Sequence, residues 1–419
     1  MRILHTSDWH LGRQLIQKSR DDEFEAFLAW LAALLVEERV ETLVIAGDLF
    51  DTTTPSHVAQ GQYYDFLRKA RQTSCRHIIV VAGNHDSPSL VDAPRDLLEA
   101  LDITVVGGAP QDPAGCVRLL RDAQGHPELI ACAVPFLRDR DLLTSEAGET
   151  SVDREQRLLS GIRSYYARTA AAAVTLREAH GAGLPILATG HLFAAGGTIV
   201  DDDGVRDLYV GGIGAVPTTA FPEAFDYVAL GHIHRPQAVG GSDRIRYSGA
   251  PLAMGFGEAG QTKSVSLVDL EPGNITVRTR PVPQRRRLLR LAGDRLMLER
   301  ALGDLAREKE ALPAWIEATY RDTALHPDLR EGLETILAGT PHELLRLRDL
   351  RLLEVGPLAT ESLQDLADLN VETVFRQLLD ARAVPDVQRV RLETDFAEVL
   401  HTVLHTEAPG SAIRESGRT

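Results

Sequence analysis

Five short polar blocks, each closing an apolar run, constrain this chain more than any other feature. They are Asp8-Trp9-His10, Gly47-Asp48-Leu49-Phe50-Asp51, Gly83-Asn84-His85-Asp86, Gly190-His191 and Gly231-His232-Ile233-His234. The runs that lead into them, Arg2–Ser7, Thr42–Gly47, His77–Gly83, Ile186–Gly190 and Asp226–Gly231, are short and rich in β-branched residues, the habit of buried strands. Four of the five blocks place glycine directly before the polar residue, where a turn is tight or another backbone comes close. In an open α/β sheet, ligands bind at the carboxyl edge of the strands. Carboxylate, amide and imidazole groups from separate strands therefore converge on one crevice. A strand-ending turn explains any one block, because Asn, Asp and Gly are ordinary turn formers. Five in one chain do not fit that simpler account.

The rest of the chain reads as three regions. Further strands are expected at Thr104–Val106, Leu129–Val134, Ile245–Ser248, Val265–Leu270 and Ile275–Arg280. Asp22–Glu38 carries Phe24, Phe27, Leu28, Leu31, Leu34 and Leu35 at helical spacing. Residues 1–280 thus read as an α/β layered domain, with an antiparallel completion of the sheets after residue 225. Pro281 and Pro283 open a second unit, 281–356. It is read as a strand at Leu288–Leu291, a helix at Asp294–Lys309, a strand at Trp315–Tyr320, a helix at Pro327–Leu337 and a strand at Leu344–Leu352. The tail, 357–419, reads as two amphipathic helices around Pro385. One carries Leu363, Leu366, Leu369, Val374, Phe375 and Leu378, and the other Leu392, Phe396, Val399, Leu400, Val403 and Leu404. The last residues read as disordered.

The residue types point to hard or borderline metals. The blocks offer oxygen and imidazole donors and no thiolate, which suits Mn²⁺, Mg²⁺ or Fe²⁺ more than a structural zinc. Cys75, Cys116 and Cys132 are scattered and never spaced as C-x-x-C. There are more donors than one ion uses, since a single site takes roughly four to six. Two ions sharing a bridging carboxylate use them all, and a pair about 3.5–4 Å apart clamps an in-line displacement at phosphorus.

The pattern D-x-H, G-D-x-x-D, G-N-H-D, G-H, G-H-x-H resembles that of the calcineurin-like metallophosphoesterases, with all five blocks present in order. The S-D-W-H-L-G start, the A-G-D-L-F-D block, the length and the layout after residue 280 look like the bacterial nuclease subunits that process DNA ends beside a coiled-coil ABC ATPase. The resemblance implies a β-sandwich flanked by helices, a small α/β capping domain and a C-terminal helical pair. It implies one ion on Asp8, His10, Asp48 and His234 and another on Asp48, Asn84, His191 and His232, with Asp48 bridging and Mn²⁺ the first choice. His85 matches the family's non-ligand histidine, a proton donor to the leaving oxygen or a stabiliser of the pentacoordinate phosphate. Asp86 or Asp51 would orient that imidazole. Asp51 equally fits a turn or N-cap, and Trp9 fits packing better than substrate stacking. Among the remaining histidines, only His5 and His57 stand where they could lie near the site. The resemblance further implies exonuclease action on double-stranded ends, endonuclease action on single strands or hairpins, and a homodimer within a heterotetramer. The tail helices would grip the ATPase coiled coil. Without the resemblance, packing on their own domain would be the better reading of the tail.

Charge raises an objection and then narrows it. The chain carries 45 basic and 60 acidic residues, a net charge of −15, which excludes unaided coating of nucleic acid. The deficit is uneven: residues 1–280 hold 26 basic and 36 acidic residues, 281–356 hold 13 and 13, and 357–419 hold 6 and 11. Divalent ions in the crevice would set the local sign there. The second unit opens on Arg285, Arg286 and Arg287, candidate DNA-phosphate contacts whose simpler reading is a solvated linker. Because 41 of the 45 basic residues are Arg, that run carries little weight by itself. There is no secretory apolar stretch and no run long enough for a membrane helix, so a cytoplasmic location is expected. Two other functions compete: a phosphodiesterase of small molecules or cyclic nucleotides, and a non-catalytic scaffold on the same fold. The long extension after residue 280 disfavours the first, and the full set of donors plus His85 disfavours the second.

Overall fold

Each central strand sends alternate side chains to two different cores, and this alternation builds the layers. In Thr42–Ala46, Leu43 and Ile45 join one core while Val44 joins another. In His77–Val81, Ile78 and Val80 split from Ile79 and Val81 in the same way. The shared core also takes Leu129, Ala131, Leu187, Tyr227 and Ala229 from a second sheet, so two sheets pack face to face. The outer face of the first sheet is covered by Asp21–Glu37 and His57–Ala70, and that of the second by Ser151–His180. The computed structural model describes residues 1–143, 150–181, 183–198, 215–271, 273–308, 312–322, 324 and 326–350, with positions 375, 379, 389, 391–394 and 396 of the tail.

The first sheet runs in the order Asn274–Pro281, Ser264–Glu271, Arg2–Thr6, Thr42–Ala46, His77–Val81 and Ile103–Val106. Its last four strands are mutually parallel, and Ser264–Glu271 pairs antiparallel with Arg2–Thr6. The second runs Val117–Arg121, Pro127–Cys132, Ile186–His191, Tyr227–Gly231, Ser242–Tyr247 and Gln237–Val239. The antiparallel completion expected after residue 225 is therefore only partial. Ser264–Glu271 and Asn274–Pro281 follow it, but Ser242–Tyr247 lies parallel to Tyr227–Gly231. The edge strand Val117–Arg121 escapes a search for apolar runs because Arg118 and Arg121 interrupt it.

The helix Asp21–Glu37 lacks a side-chain cap. Asp21, Asp22 and Glu23 in its first turn offset the exposed amide dipoles. Its stripe of Phe24, Phe27, Leu31 and Leu35 is buried against the first sheet, and Trp9 packs edge-on to Phe27 and Phe66. Truncating Leu31, which is fully buried, would cost about 2–5 kcal/mol. Trp9 is thus a core residue, and its indole N–H donates to Thr6 Oγ1 at 2.9 Å. The thiols of Cys75 and Cys116 are pushed up to about 12 and about 11 by burial, as expected of inert core cysteines.

The second unit is a three-stranded parallel sheet, Arg287–Gly293, Ala314–Tyr320 and Glu343–Asp349, with helices Arg295–Ala306 and Leu329–Leu337 on one face. Its other face docks on the first domain through Leu288, Trp315 and Leu345, which meet Leu15 and Phe256. The expected strand Leu344–Leu352 runs over Glu343–Asp349, and residues 351–352 lie outside the described residues. Most of the two expected tail helices also lies outside them. The described tail positions are helical, and the Phe375 and Phe396 rings stack at 3.9 Å.

Candidate metal centre

All five blocks reach one edge because the strands before them run parallel within each sheet. Asp8 and His10 follow Arg2–Thr6, Asp48 follows Thr42–Ala46, and Asn84 and His85 follow His77–Val81. His191 ends one strand of the second sheet, and His232 and His234 follow another. The crevice is thus a seam between the two sheets, tied by His191 Nδ1, which donates to the Ala46 carbonyl at 3.0 Å. Gly47 takes φ +90°, and a Cβ there would collide with the His191 ring. A Cβ on Gly83 would collide with the Asp48 carboxylate. Asp8, His10, Asp48 and His232 hold φ of 54°, 48°, 49° and 103°, a left-handed backbone that non-glycine residues keep only where the surroundings enforce it.

The structure groups these side chains into overlapping triads: Asp8 with His10 and His234, and Asp8 with Asp48 and His191. Asp48 Oδ2 sits between them, 3.6 Å from His10 Nε2 and 3.3 Å from His191 Nε2. Asn84 Oδ1 lies 2.9 Å from His191 Nε2. Asp8 Oδ1 accepts the His232 amide at 2.8 Å, and its Oδ2 accepts from Ser7 Oγ at 2.5 Å. The His191 and His232 rings stand 5.5 Å apart.

Burial opposes ionisation throughout, and the outcome differs by residue. Burial holds His10 and His232 below the ordinary imidazole range. For Asp48 burial likewise favours the neutral carboxyl, but the surrounding His191, His10 and His85 outweigh it and hold the carboxyl well below its ordinary range.

These groups fit divalent cations. With Nδ1 donating to Glu258 Oε1 at 3.0 Å, the His234 ring turns its Nε2 to within 3.2 Å of His10 Nε2. His10 Nδ1 is buried and 3.4 Å from Asp51 Oδ1, without an aligned hydrogen-bond partner. Lewis bases facing one another in a site closed to solvent are stabilised by a shared cation. The oxygen and imidazole set suits Mn²⁺, Mg²⁺ or Fe²⁺ rather than a thiolate-bound zinc.

Two expected orienting roles change. His85 Nδ1 donates to the main-chain carbonyl of Asp51 at 2.8 Å, so the peptide and not the carboxylate orients the ring. The Asp51 carboxylate turns instead to His10 and to Arg13, whose Nη1 donates at 2.9 Å. Asp86 does not orient His85 either. Its carboxylate accepts the Gly83, Leu49 and Phe50 amides at 2.9, 3.1 and 3.0 Å, stapling two metal-site loops together. Main-chain partners of this kind leave no trace in side-chain spacing. His5 lies behind the site between Tyr227 and Leu230, and His57 is exposed at the start of its helix.

The arginine run also divides. Arg286 lies over the Trp315 ring at 4.0 Å and bonds Glu23 at 3.0 Å, so it clamps the two units. Arg287 pairs with Glu308 at 2.8 Å. Only Arg285 of the three is exposed. Sequence reading missed a second group: Arg290, Arg346 and Arg348 surround the buried Glu317 at 3.2, 3.0 and 3.1 Å.

Comparison with known proteins agrees with this geometry. Residues 1–236 match the family described as calcineurin-like phosphoesterase. Residues 284–383 match a family described as the type 5 capsule protein repressor C-terminal domain. The SbcD subunit of the nuclease SbcCD from Escherichia coli is 38% identical over 405 residues, covering 96% of this chain and 98% of its own length. Proteins of the same name are 35% identical in Rhodobacter capsulatus, over 90% of this chain and 93% of theirs, and 30% identical in Bacillus subtilis, over 95% and 98%. A chain with this two-sheet fold, this donor set at the sheet seam and this end-to-end similarity belongs to the SbcD family of nuclease subunits within the calcineurin-like phosphoesterases.

Proposed function

We propose that this chain cleaves DNA phosphodiesters with two divalent ions, Mn²⁺ ahead of Mg²⁺ or Fe²⁺. It acts as an exonuclease on double-stranded ends and as an endonuclease on single-stranded or hairpin DNA. The observation that carries the reading is the Asp48 carboxylate poised between the His10 and His191 nitrogens, the place of a bridging ligand. Asp8, His10, Asp48 and His234 would hold one ion, and Asp48, Asn84, His191 and His232 the other. Ions there supply Lewis-acid charge stabilisation for in-line displacement at phosphorus. His85, fixed through Nδ1 by the Asp51 carbonyl, delivers the Nε2 proton to the leaving oxygen.

Three regions carry separate tasks in this proposal. Residues 1–280 cleave, and 281–356 cap the site and contact DNA through Arg285 and the Arg290, Arg346 and Arg348 cluster. Residues 357–419 bind an SbcC-like coiled-coil ABC ATPase in a heterotetramer with two copies of this chain. The relatives are named as one component of a complex, SbcCD, and this supports the last assignment. Among the described residues no helix is long and apolar enough to cross a membrane, and we place the protein in the cytoplasm.

The test is turnover by the purified full chain with Mn²⁺, on linear duplex and hairpin DNA beside a cyclic nucleotide. DNA degradation that stops with chelator is expected. Turnover of the cyclic nucleotide with DNA left intact would replace the nuclease reading by the small-molecule one, and metal binding without either activity would favour a scaffold.

A further inference from the structure

The His234 side of the centre continues into a buried pair of charges that lies outside all five blocks. Glu258 ends a single 3₁₀ turn, Phe256–Glu258, and is 1% exposed. Its Oε1 accepts from His234 Nδ1 at 3.0 Å, and its Oε2 accepts the Met254 amide at 3.1 Å. The Lys263 ammonium forms an ion pair with Oε2 and donates to the His234 carbonyl at 2.9 Å. His234 is therefore gripped twice, by its ring through Glu258 and by its main chain through Lys263.

We propose that Glu258 is a positioning residue of the metal centre. It locks the His234 ring in the Nδ1–H tautomer and in the rotation that turns Nε2 toward Asp8 and His10, while Lys263 holds Glu258 and the His234 backbone in one frame. A ligating histidine gains basicity and a fixed ring angle when its second nitrogen donates to a carboxylate. Without that acceptor the ring can flip, or move its proton to the nitrogen that must carry the lone pair. The blander account is a core Glu–Lys pair that merely satisfies a neighbouring histidine. A buried ion pair is a poor stabiliser compared with apolar side chains of similar volume, so stability is a weak reason for this one. The far side of the pair borders a cavity of about 320 Å³ that Arg286 and Leu288 of the second unit also line. Phe256, in the same turn, packs with Leu288 and Trp315. The turn that holds His234 is thus also the surface on which the second unit rests.

The inference rests on His234 being a ligand, and the experiment separates the two. Mn²⁺ alone is titrated by calorimetry into metal-free full-length wild type, H234A, E258Q and the double variant E258M/K263M. The double variant removes both charges together and leaves no unpaired buried ion, so it keeps the fold if Glu258 alone should fail. Thermal melting without metal is recorded beside each titration, and ¹⁵N spectra of labelled histidine read the His234 tautomer. Both Glu258 variants are expected to weaken one Mn²⁺ site by about 10–100-fold and to leave the other site unchanged, and the double variant is also expected to keep the metal-free melting point and to lose the single Nδ1–H signature. Wild-type affinity at both sites in E258Q and the double variant, with one site lost in H234A, overturns the positioning role alone. Two intact sites in H234A overturn the ligand assignment itself.

Discussion

The crevice and the junction between the two units are both buried, yet they are built on opposite terms. At the junction Leu15, Phe256, Leu288, Trp315 and Leu345 exclude water, and nearby charges find opposite partners: Arg286 with Glu23, Lys18 with Glu343, Arg287 with Glu308. In the crevice four residues hold left-handed backbone, and imidazole nitrogens face one another across 3.2 Å. Such conformations cost of order 1–3 kcal/mol each and persist only where the surrounding packing enforces them. The junction is built for cohesion. The crevice gives up cohesion for a fixed set of lone pairs.

That contrast can be broken by experiment. The largest effect is expected in the crevice: H85A should lower kcat by about 10²–10⁴-fold while both ions still bind. Loss of an ion in this variant would make His85 a ligand. At the junction, W315A should lower the unfolding free energy by about 3 kcal/mol in urea and keep two ions per chain. An unchanged midpoint would mean that the units are held together elsewhere.

His5 offers a control, a buried histidine outside the donor set whose nitrogens meet Tyr227 Oη at 2.9 Å and the Leu230 carbonyl at 3.2 Å. Burial lowers it to about 3, below the ordinary value of about 6.5. The unfolded chain therefore takes up its proton first as pH falls. The stability is complete above about pH 6.5 and is lost from there down toward pH 3, by up to about 1.4 kcal/mol per pH unit. H5Q should flatten that part of the profile between about pH 7 and pH 5. An equally steep profile would assign the acid sensitivity to other groups.

The smallest effects separate neighbouring arginines. R285A should reduce the salt dependence of DNA binding by about one phosphate contact and leave stability alone. R286A should do the reverse, lowering stability by about 1–2 kcal/mol through its lost contacts with Trp315 and Glu23. Equal effects of the two on DNA would restore the whole run as a binding strip.

Residue type explains what the sequence could disclose. Asp8, His10, Asp48, His191 and His234 were readable because metal chemistry demands those side chains and parallel strands deliver them to one edge. The layered core was readable because Leu43, Val44 and Ile45 must alternate between two faces. The work of Asp51 and Asp86 was not, since it runs through main-chain carbonyls and amides that every residue possesses. Glu258 gave no signal because its link to His234 depends on a turn 24 residues away with no motif spacing. Arg286 was misjudged for a similar reason: a run of like charge says nothing of the acid and the aromatic ring that tertiary packing brings to one member.

The seam between the sheets also sets a timetable. The amide of His232 bonds Asp8 across 224 residues, so the centre joins the start of the chain to a point past its middle. During synthesis at about 5–20 residues per second, roughly ten to fifty seconds separate the emergence of Asp8 from that of His234. Through that interval Asp8, His10 and Asp48 lack the imidazoles of His191, His232 and His234 and the enclosed geometry with which to select an ion. Completion of the donor set is therefore a late event in the synthesis of each molecule, and it waits on the second sheet.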